Sequence, residues 1–158
     1  MHTLFKFPNP VNEHSARLVA GGVLCMSFAI VVFDQIWVLI PLTYGFLARV
    51  STGPTLSPLG QFVTRVLVPK LNWKPKYCSG PPKRFAQGIG SSLSIAACIA
   101  WASYDTTTPA RVIVGLILFA STLESIFGFC LGCTIFGFLM KLKIVPDHIC
   151  EACVIPQR

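Results

Sequence analysis

Apolar residues fall into four blocks along the chain, parted by short polar or proline-bearing interruptions. Leu18 to Phe33 is nearly unbroken, Asp34 and Gln35 intervene, and Ile36 to Ala48 runs up to Arg49. A spanning helix takes about 17 to 25 apolar residues. These two runs therefore predict either a tight helical hairpin with Asp34 at its tip or one long kinked helix. A third block covers 85–104, and a fourth opens at Arg111 and stays apolar to Met140. The stretch from Arg111 to Cys133 makes about 34 Å of helix at about 1.5 Å per residue, enough to cross. The pattern predicts an all-α integral membrane protein, a single domain over 1–158 with spans at about 18–33, 36–48, 85–104 and 111–133.

Between the second and third blocks the period changes. In "SPLGQFVTRVLVPKL", Ser57 followed by Pro58 is a helix-start signal. Leu59, Phe62, Val63, Val66 and Leu67 recur at helical spacing, with Gln61, Thr64 and Arg65 opposite. An amphipathic helix over 57–70 is expected to lie on the membrane surface rather than cross it. The basic, proline-rich loop "NWKPKYCSGPPKR" follows, with Trp73 and Tyr77 of the aromatic types favoured at headgroup level.

Composition agrees with the pattern: 53% of residues are hydrophobic and 12% charged, against about a quarter charged in soluble domains. The polar first seventeen residues carry no recognisable cleavable signal, so the first apolar run is expected to stay in the protein. The net charge of +7 follows topology rather than a nucleic-acid footprint, which needs basic residues clustered on a reading module. Seven of the thirteen Lys and Arg lie between Arg49 and Arg84. Lys141, Lys143 and Arg158 lie in the tail over 141–158, and Lys6 and Arg17 near the start. The two predicted outer turns carry Asp34 and Asp105. Basic loops stay cytoplasmic, which places both termini in the cytoplasm. One kinked helix in place of the first two spans would move only the amino terminus.

In the third span Ala86, Gly90, Ser94, Cys98 and Ala102 repeat every fourth residue, a small-residue stripe that lets helices approach closely in lipid. Gly128 and Gly132 in the fourth span suggest that this stripe packs there. Cys98 and Cys25 read as small packing residues. Glu124 is different, because an ionisable group in a spanning helix costs about 2.5 to 3.5 kcal/mol on insertion scales. It has to be protonated, wet, or paired with a group on another span or a partner subunit. On a continuous helix it would lie well around from Cys130 and opposite Cys133, which disfavours a direct acid/base pair and makes Glu124 a weak catalytic candidate.

The seven cysteines are an odd number, so a fully paired disulfide scaffold is excluded. Cys130 and Cys133 in "FGFCLGC" share one helix face near the cytoplasmic end of the fourth span. Cys150 and Cys153 follow in "HICEAC", after sixteen intervening residues. Three readings remain open. Two Cys-x-x-Cys pairs at this separation match tetrathiolate zinc sites, with His148 as a weaker substitute ligand and an iron–sulfur centre as the other metal option. Alternatively, Cys130 and Cys133 form a redox dithiol with Cys150 and Cys153 as exchange partners, since this spacing lowers a thiol pKa and supplies a resolving cysteine. The third reading is helix packing beside the glycines. Cys78 is a fifth thiol on the same side. Neighbouring Lys74, Lys76, Lys83 and Arg84 read first as topology signals and second as a place for an anion or lipid headgroup. His2 and His14 are expected to be solvated. Hydrolase, phosphate-loop and dinucleotide signatures are absent from the sequence.

The segments "VNEHSAR", "SPLGQFV", "PPKRFAQGIG", "FGFCLGC" and "CEAC" together resemble a family of short bacterial membrane proteins known only as a domain of unknown function, roughly from Pro10 to Cys153. The resemblance implies a multi-span helical protein of the bacterial inner membrane and brings no reaction or cofactor. The cysteine chemistry favours a membrane thiol/disulfide or sulfur-relay protein working with a thioredoxin-like partner. The rival is a small accessory subunit of a larger respiratory, photosynthetic or transport complex, with lipid and other membrane subunits as partners. A transporter is disfavoured because four spans without repeats offer little polar pathway.

Overall fold

Asn12 opens the first helix, its side chain accepting from the His14 N–H at 3.0 Å while its own backbone stays extended. This is the geometry that satisfies one of a helix's orphan donors. Helix α1 (Glu13–Phe33) therefore starts five residues before the apolar run. The computed structural model describes residues 11–72, 74, 76–78 and 80–144. Among them α1 is followed by a 3-10 turn (Ile36–Val38), α2 (Leu39–Thr52), the short α3 (Pro58–Phe62) and α4 (Val68–Leu71) joined by a π turn (Val63–Leu67), and α5 (Gly80–Ser103). Then come α6 (Thr108–Thr122), a second π turn (Leu123–Phe127) and α7 (Leu131–Lys141). Two short strands, β1 (Val11–Asn12) and β2 (Tyr77–Cys78), pair antiparallel and tie the start of α1 to the loop before α5. The Lys76–Glu13 ion pair at 3.0 Å reinforces that tie.

Four helical stretches are long and apolar enough to cross a membrane: Glu13–Phe33, Ile36–Leu71, Gly80–Ser103 and Thr108–Phe127. The burial pattern is that of a protein in lipid. The core is built of Val23, Ile30, Leu39, Leu42, Ala97, Ala100, Ala110 and Val114, while Phe28, Ile40, Leu47, Ile99, Val112 and Phe119 point outward. In water that apolar surface would be an aggregation liability. In lipid it is the natural solvent face.

The first two apolar runs are separate helices. Asp34 adopts the left-handed conformation (φ 55°, ψ 30°), and its N–H closes α1 on the Ala29 carbonyl. Side-chain contacts set the register. Trp37 stacks edge-on against Trp101 with centroids 5.3 Å apart, Thr43 Oγ1 meets Cys98 Sγ at 3.3 Å, and Arg49 Nε donates to Gln87 Oε1 at 3.0 Å. Thus α2 runs antiparallel to α5. Likewise Arg17 lies beside Gly128 and Arg111 reaches the Val31 carbonyl, so α1 runs antiparallel to α6. One end of the bundle gathers Arg17, Arg49, Lys83 and Arg84; at the other, Arg111 faces Asp34 at 3.6 Å.

Three expectations change. The small stripe of α5 packs mainly on α2, because a Cβ at Gly90 would run into the Phe46 ring; only its Ala86 end meets Gly132 of α7. Cys98 sits in that packing, whereas Cys25 is exposed on the outer face of α1. The fourth span is interrupted: Gly128 takes φ 69°, and the chain stops being helical until Leu131. Glycine is the residue that enters this conformation without penalty, and it commonly ends helices. The helix over residues 58–71 is seated on the bundle as well, with Ser57 capping Gly60, Leu59 against Gly22 of α1, and Val63 only 1% exposed. Phe62 and Val66 remain outside.

If Gly90 is the contact that lets α2 and α5 close, Gly90→Val lowers stability by about 1 to 3 kcal/mol, the usual cost of overpacking. Gly115→Ala, where nothing lies within 4 Å of the added Cβ, is nearly neutral. Thermal unfolding of both variants in one detergent separates them.

Candidate functional site

Glu124 lies in the π turn that ends the fourth span. Its Oε1 is 2.5 Å from Lys83 Nζ, and the two side chains are only 10% (Lys83) and 15% (Glu124) exposed. The partner on another span is thus Lys83, in the first turn of α5, a residue whose sequence context points to topology or to an anion or lipid headgroup and not to an ion pair. Lys83 reaches Glu124 because α5 starts at Gly80, with Pro81 and Pro82 in its first turn, where a missing N–H costs nothing. That puts Lys83 inside the bundle rather than in a loop.

Beyond this pair the chain turns sharply. The Gly128 N–H closes on the Glu124 carbonyl at 3.1 Å, and that of Phe129 on Leu123 at 3.2 Å. Arg17 Nη2 donates to the Ile126 carbonyl at 3.1 Å, and its guanidinium would meet any Cβ placed at Gly128. Cys130 then stands at the N-cap of α7 with extended backbone (φ −92°, ψ 108°), and its carbonyl receives the Thr134 N–H at 3.1 Å. Cys133 lies one turn on. The two cysteines are therefore not on a continuous spanning helix. They occupy the start of a new one, beyond the end of the fourth span, and the angular argument separating Glu124 from them does not apply.

An N-cap side chain folds back toward the third helical residue, here Cys133. The hydrogen bond between the two thiols pulls Cys130 below the ordinary thiol value, with Lys83 nearby acting in the same direction. That same bond, together with burial, pushes Cys133 up. The result is an unequal pair, one thiol poised to ionise and one held protonated as donor, as a nucleophile with a resolving neighbour requires. Cys130 is 9% exposed and borders a mainly apolar cavity of about 250 Å³ together with Ala86, Gln87, Glu124, Gly132 and Ile135. Helix α7 is held over α5 by Gly132 against Ala86 and by the Phe85 and Phe136 rings, 5.6 Å apart.

Cys78 bonds to the Val11 carbonyl at 3.4 Å in β2, and burial pushes its thiol up. It feels the charges of Lys83, Glu124 and Cys130, so it borders the same electrostatic cluster but is the less reactive thiol. His14, expected in solvent, is partly buried in the first turn of α1. Cys150, Cys153 and His148 lie outside the described residues. Among the described ones no three His, Cys, Asp or Glu side chains gather as a metal site, so Cys130 and Cys133 supply at most two ligands there.

A family model described as a domain of unknown function matches residues 11–141, most of the chain. No curated protein and no solved structure matches it.

Removing one partner of the buried ion pair is expected to cost about 3 kcal/mol, while replacing both is close to neutral. Lys83→Met should lower the thermal midpoint sharply and Lys83→Met/Glu124→Leu should restore most of it. Additive losses in that cycle would show that the two groups are uncoupled. The rate of Cys130 alkylation follows its thiolate, so its pH profile should have a midpoint below the ordinary thiol value. Cys133→Ala, which removes the donor, should raise that midpoint toward about 8.5, the ordinary thiol value.

Proposed function

The chain belongs to the DUF4395 family, whose description assigns no reaction, and from the site we propose that it is a membrane thiol/disulfide exchange or sulfur-relay protein. The observation that carries this reading is the position of Cys130 at the start of α7, after a glycine break, with Cys133 one turn on as its hydrogen-bond partner. Cys130 as thiolate attacks one sulfur of a partner disulfide. A mixed disulfide forms, and the second partner sulfur leaves as a thiolate. Cys133 then loses its proton and attacks Cys130 Sγ, closing the Cys130–Cys133 disulfide and releasing the other partner sulfur. The partner gains two electrons and the dithiol loses two. A dithiol such as a thioredoxin-like partner resets the pair by the reverse steps.

Cys150 and Cys153, one short segment beyond α7, are the candidate exchange pair in this scheme on spacing alone. The gathering of Arg17, Arg49, Lys83 and Arg84 at one end of the bundle supports a cytoplasmic placement of that end, with both termini on that side of a bacterial inner membrane. There the surroundings keep thiols reduced, which favours a reductant or relay over an oxidant.

Glutathione disulfide added to the purified full chain distinguishes the readings. Wild type is expected to give an internal disulfide by mass, with loss of two hydrogens as glutathione disulfide is reduced to two glutathione thiols. Cys133→Ser should stop at a stable glutathione adduct on Cys130, and Cys130→Ser should give neither. If both thiols stay unmodified in folded wild type across roughly pH 6 to 9, a range that includes the ordinary thiol value, the exchange reading fails, and the pair is packing in a structural subunit.

A further inference from the structure

A second cavity lies at the same end of the bundle and shares Val19 and Gln87 with the cavity beside Cys130. It has a volume of about 60 Å³ and is walled by Ser15, Val19, Arg49, Gly53, Lys83 and Gln87, among others. A water molecule needs about 10 to 15 Å³ of such space, so the cavity has room for about four waters or for one small tetrahedral ion. Arg49 is the unusual wall residue. It is 4% exposed, and among the described residues it makes no ion pair. Its Nε donates to Gln87 and its Nη1 to Ser57 Oγ at 3.3 Å, and its guanidinium stands 4.8 Å from the Phe46 ring centre. Nη2 is left buried with no hydrogen-bond partner.

Lys83, 8% exposed in the same wall, has its charge matched by Glu124. Arg49, Lys83 and Glu124 together thus leave one positive charge without a counterion in a shielded place. Neutral acceptors and an aromatic face reduce the cost of burying a guanidinium but do not cancel its charge. An unpaired buried charge is among the costliest features a fold can carry. A planar guanidinium held by two neutral partners keeps its full charge beside the cavity that it lines, which favours an oxyanion there.

We propose that this cavity binds a small oxyanion of the sulfate or phosphate type, with Arg49 as the principal ligand. Lys83 adds field from the side, and the buried Ser15 offers a hydroxyl from α1. Gln87 positions the guanidinium by holding Nε. The same chemistry is presented by a free inorganic ion and by the phosphate of a lipid headgroup. The site stands independently of any thiol exchange at Cys130.

The test uses the full chain in a neutral detergent. Thermal unfolding is followed as sodium sulfate or phosphate is raised against sodium chloride at matched ionic strength, at concentrations well below those that stabilise proteins by exclusion. A parallel series adds phosphatidylglycerol against phosphatidylcholine. A saturable rise in Tm in one series is expected. A response to the inorganic ions identifies a free oxyanion, and a response confined to phosphatidylglycerol identifies a lipid phosphate. Arg49→Lys should weaken the midpoint about tenfold through loss of a charge-assisted hydrogen bond. Ser15→Leu, which keeps Arg49 but fills the cavity, should abolish the response. No saturable shift in wild type, or the same midpoint in wild type and both variants, overturns the site.

Discussion

The ion pair between Lys83 and Glu124 is the contact on which the cysteine-bearing end of the bundle depends. A carboxylate in a spanning helix and an ammonium in the first turn of its neighbour are each costly in a low-dielectric setting. Together, at 2.5 Å, they are tolerable because the attraction is strong where water is scarce. The pair locks the start of α5 to the π turn ending the fourth span, and so fixes where that span stops. Gly128 turns the chain there, and Cys130 is placed at the beginning of α7 with Cys133 folded beneath it.

Backbone carbonyls at helix ends need partners where water is scarce. Three helix ends are completed by arginines from other helices: Arg111 to the Val31 carbonyl, Arg84 to Val50 at 3.1 Å, and Arg17 to Ile126. A cation is favoured at a carbonyl end by the helix dipole as well as by the hydrogen bond. Arg17 and Arg84, which mark topology in the sequence, thus also close helices. Close approach does the remaining work, at Gly90 against Phe46 and at Gly132 against Ala86, where dispersion replaces a hydrophobic force that lipid does not supply.

Gln87 borders two different environments, and Lys83, one turn before it on α5, lines the second and reaches Glu124 at the edge of the first. The first is the mainly apolar cavity bordered by Cys130 and Glu124; the second is the small cavity with the unpaired guanidinium of Arg49. A charge entering the second cavity would act on Lys83 directly and on the thiols through it. This arrangement makes α5, rather than the cysteine-bearing helix, the element that joins the features of the site.

The sequence by itself determined the membrane class, the four apolar blocks, the Ser57-Pro58 helix start and the proximity of Cys130 to Cys133, since each depends on residues close together in the chain. It also marked Glu124 as needing a partner, because the cost of a carboxylate in an apolar run is local. It left open whether residues 18–48 form one helix or two, a matter settled by Asp34 adopting φ 55° at the corner. Which residue meets Glu124, which helix receives the small stripe of α5, and where the fourth span breaks were decided only in three dimensions. Each depends on contacts between segments far apart in the chain: Lys83 with Glu124, Phe46 with Gly90, Arg17 with Gly128. Arg49 shows the difference most clearly. In sequence it ends an apolar run, and only the packing of α5 and of Ser57 around it makes it a buried cation with one nitrogen unpartnered.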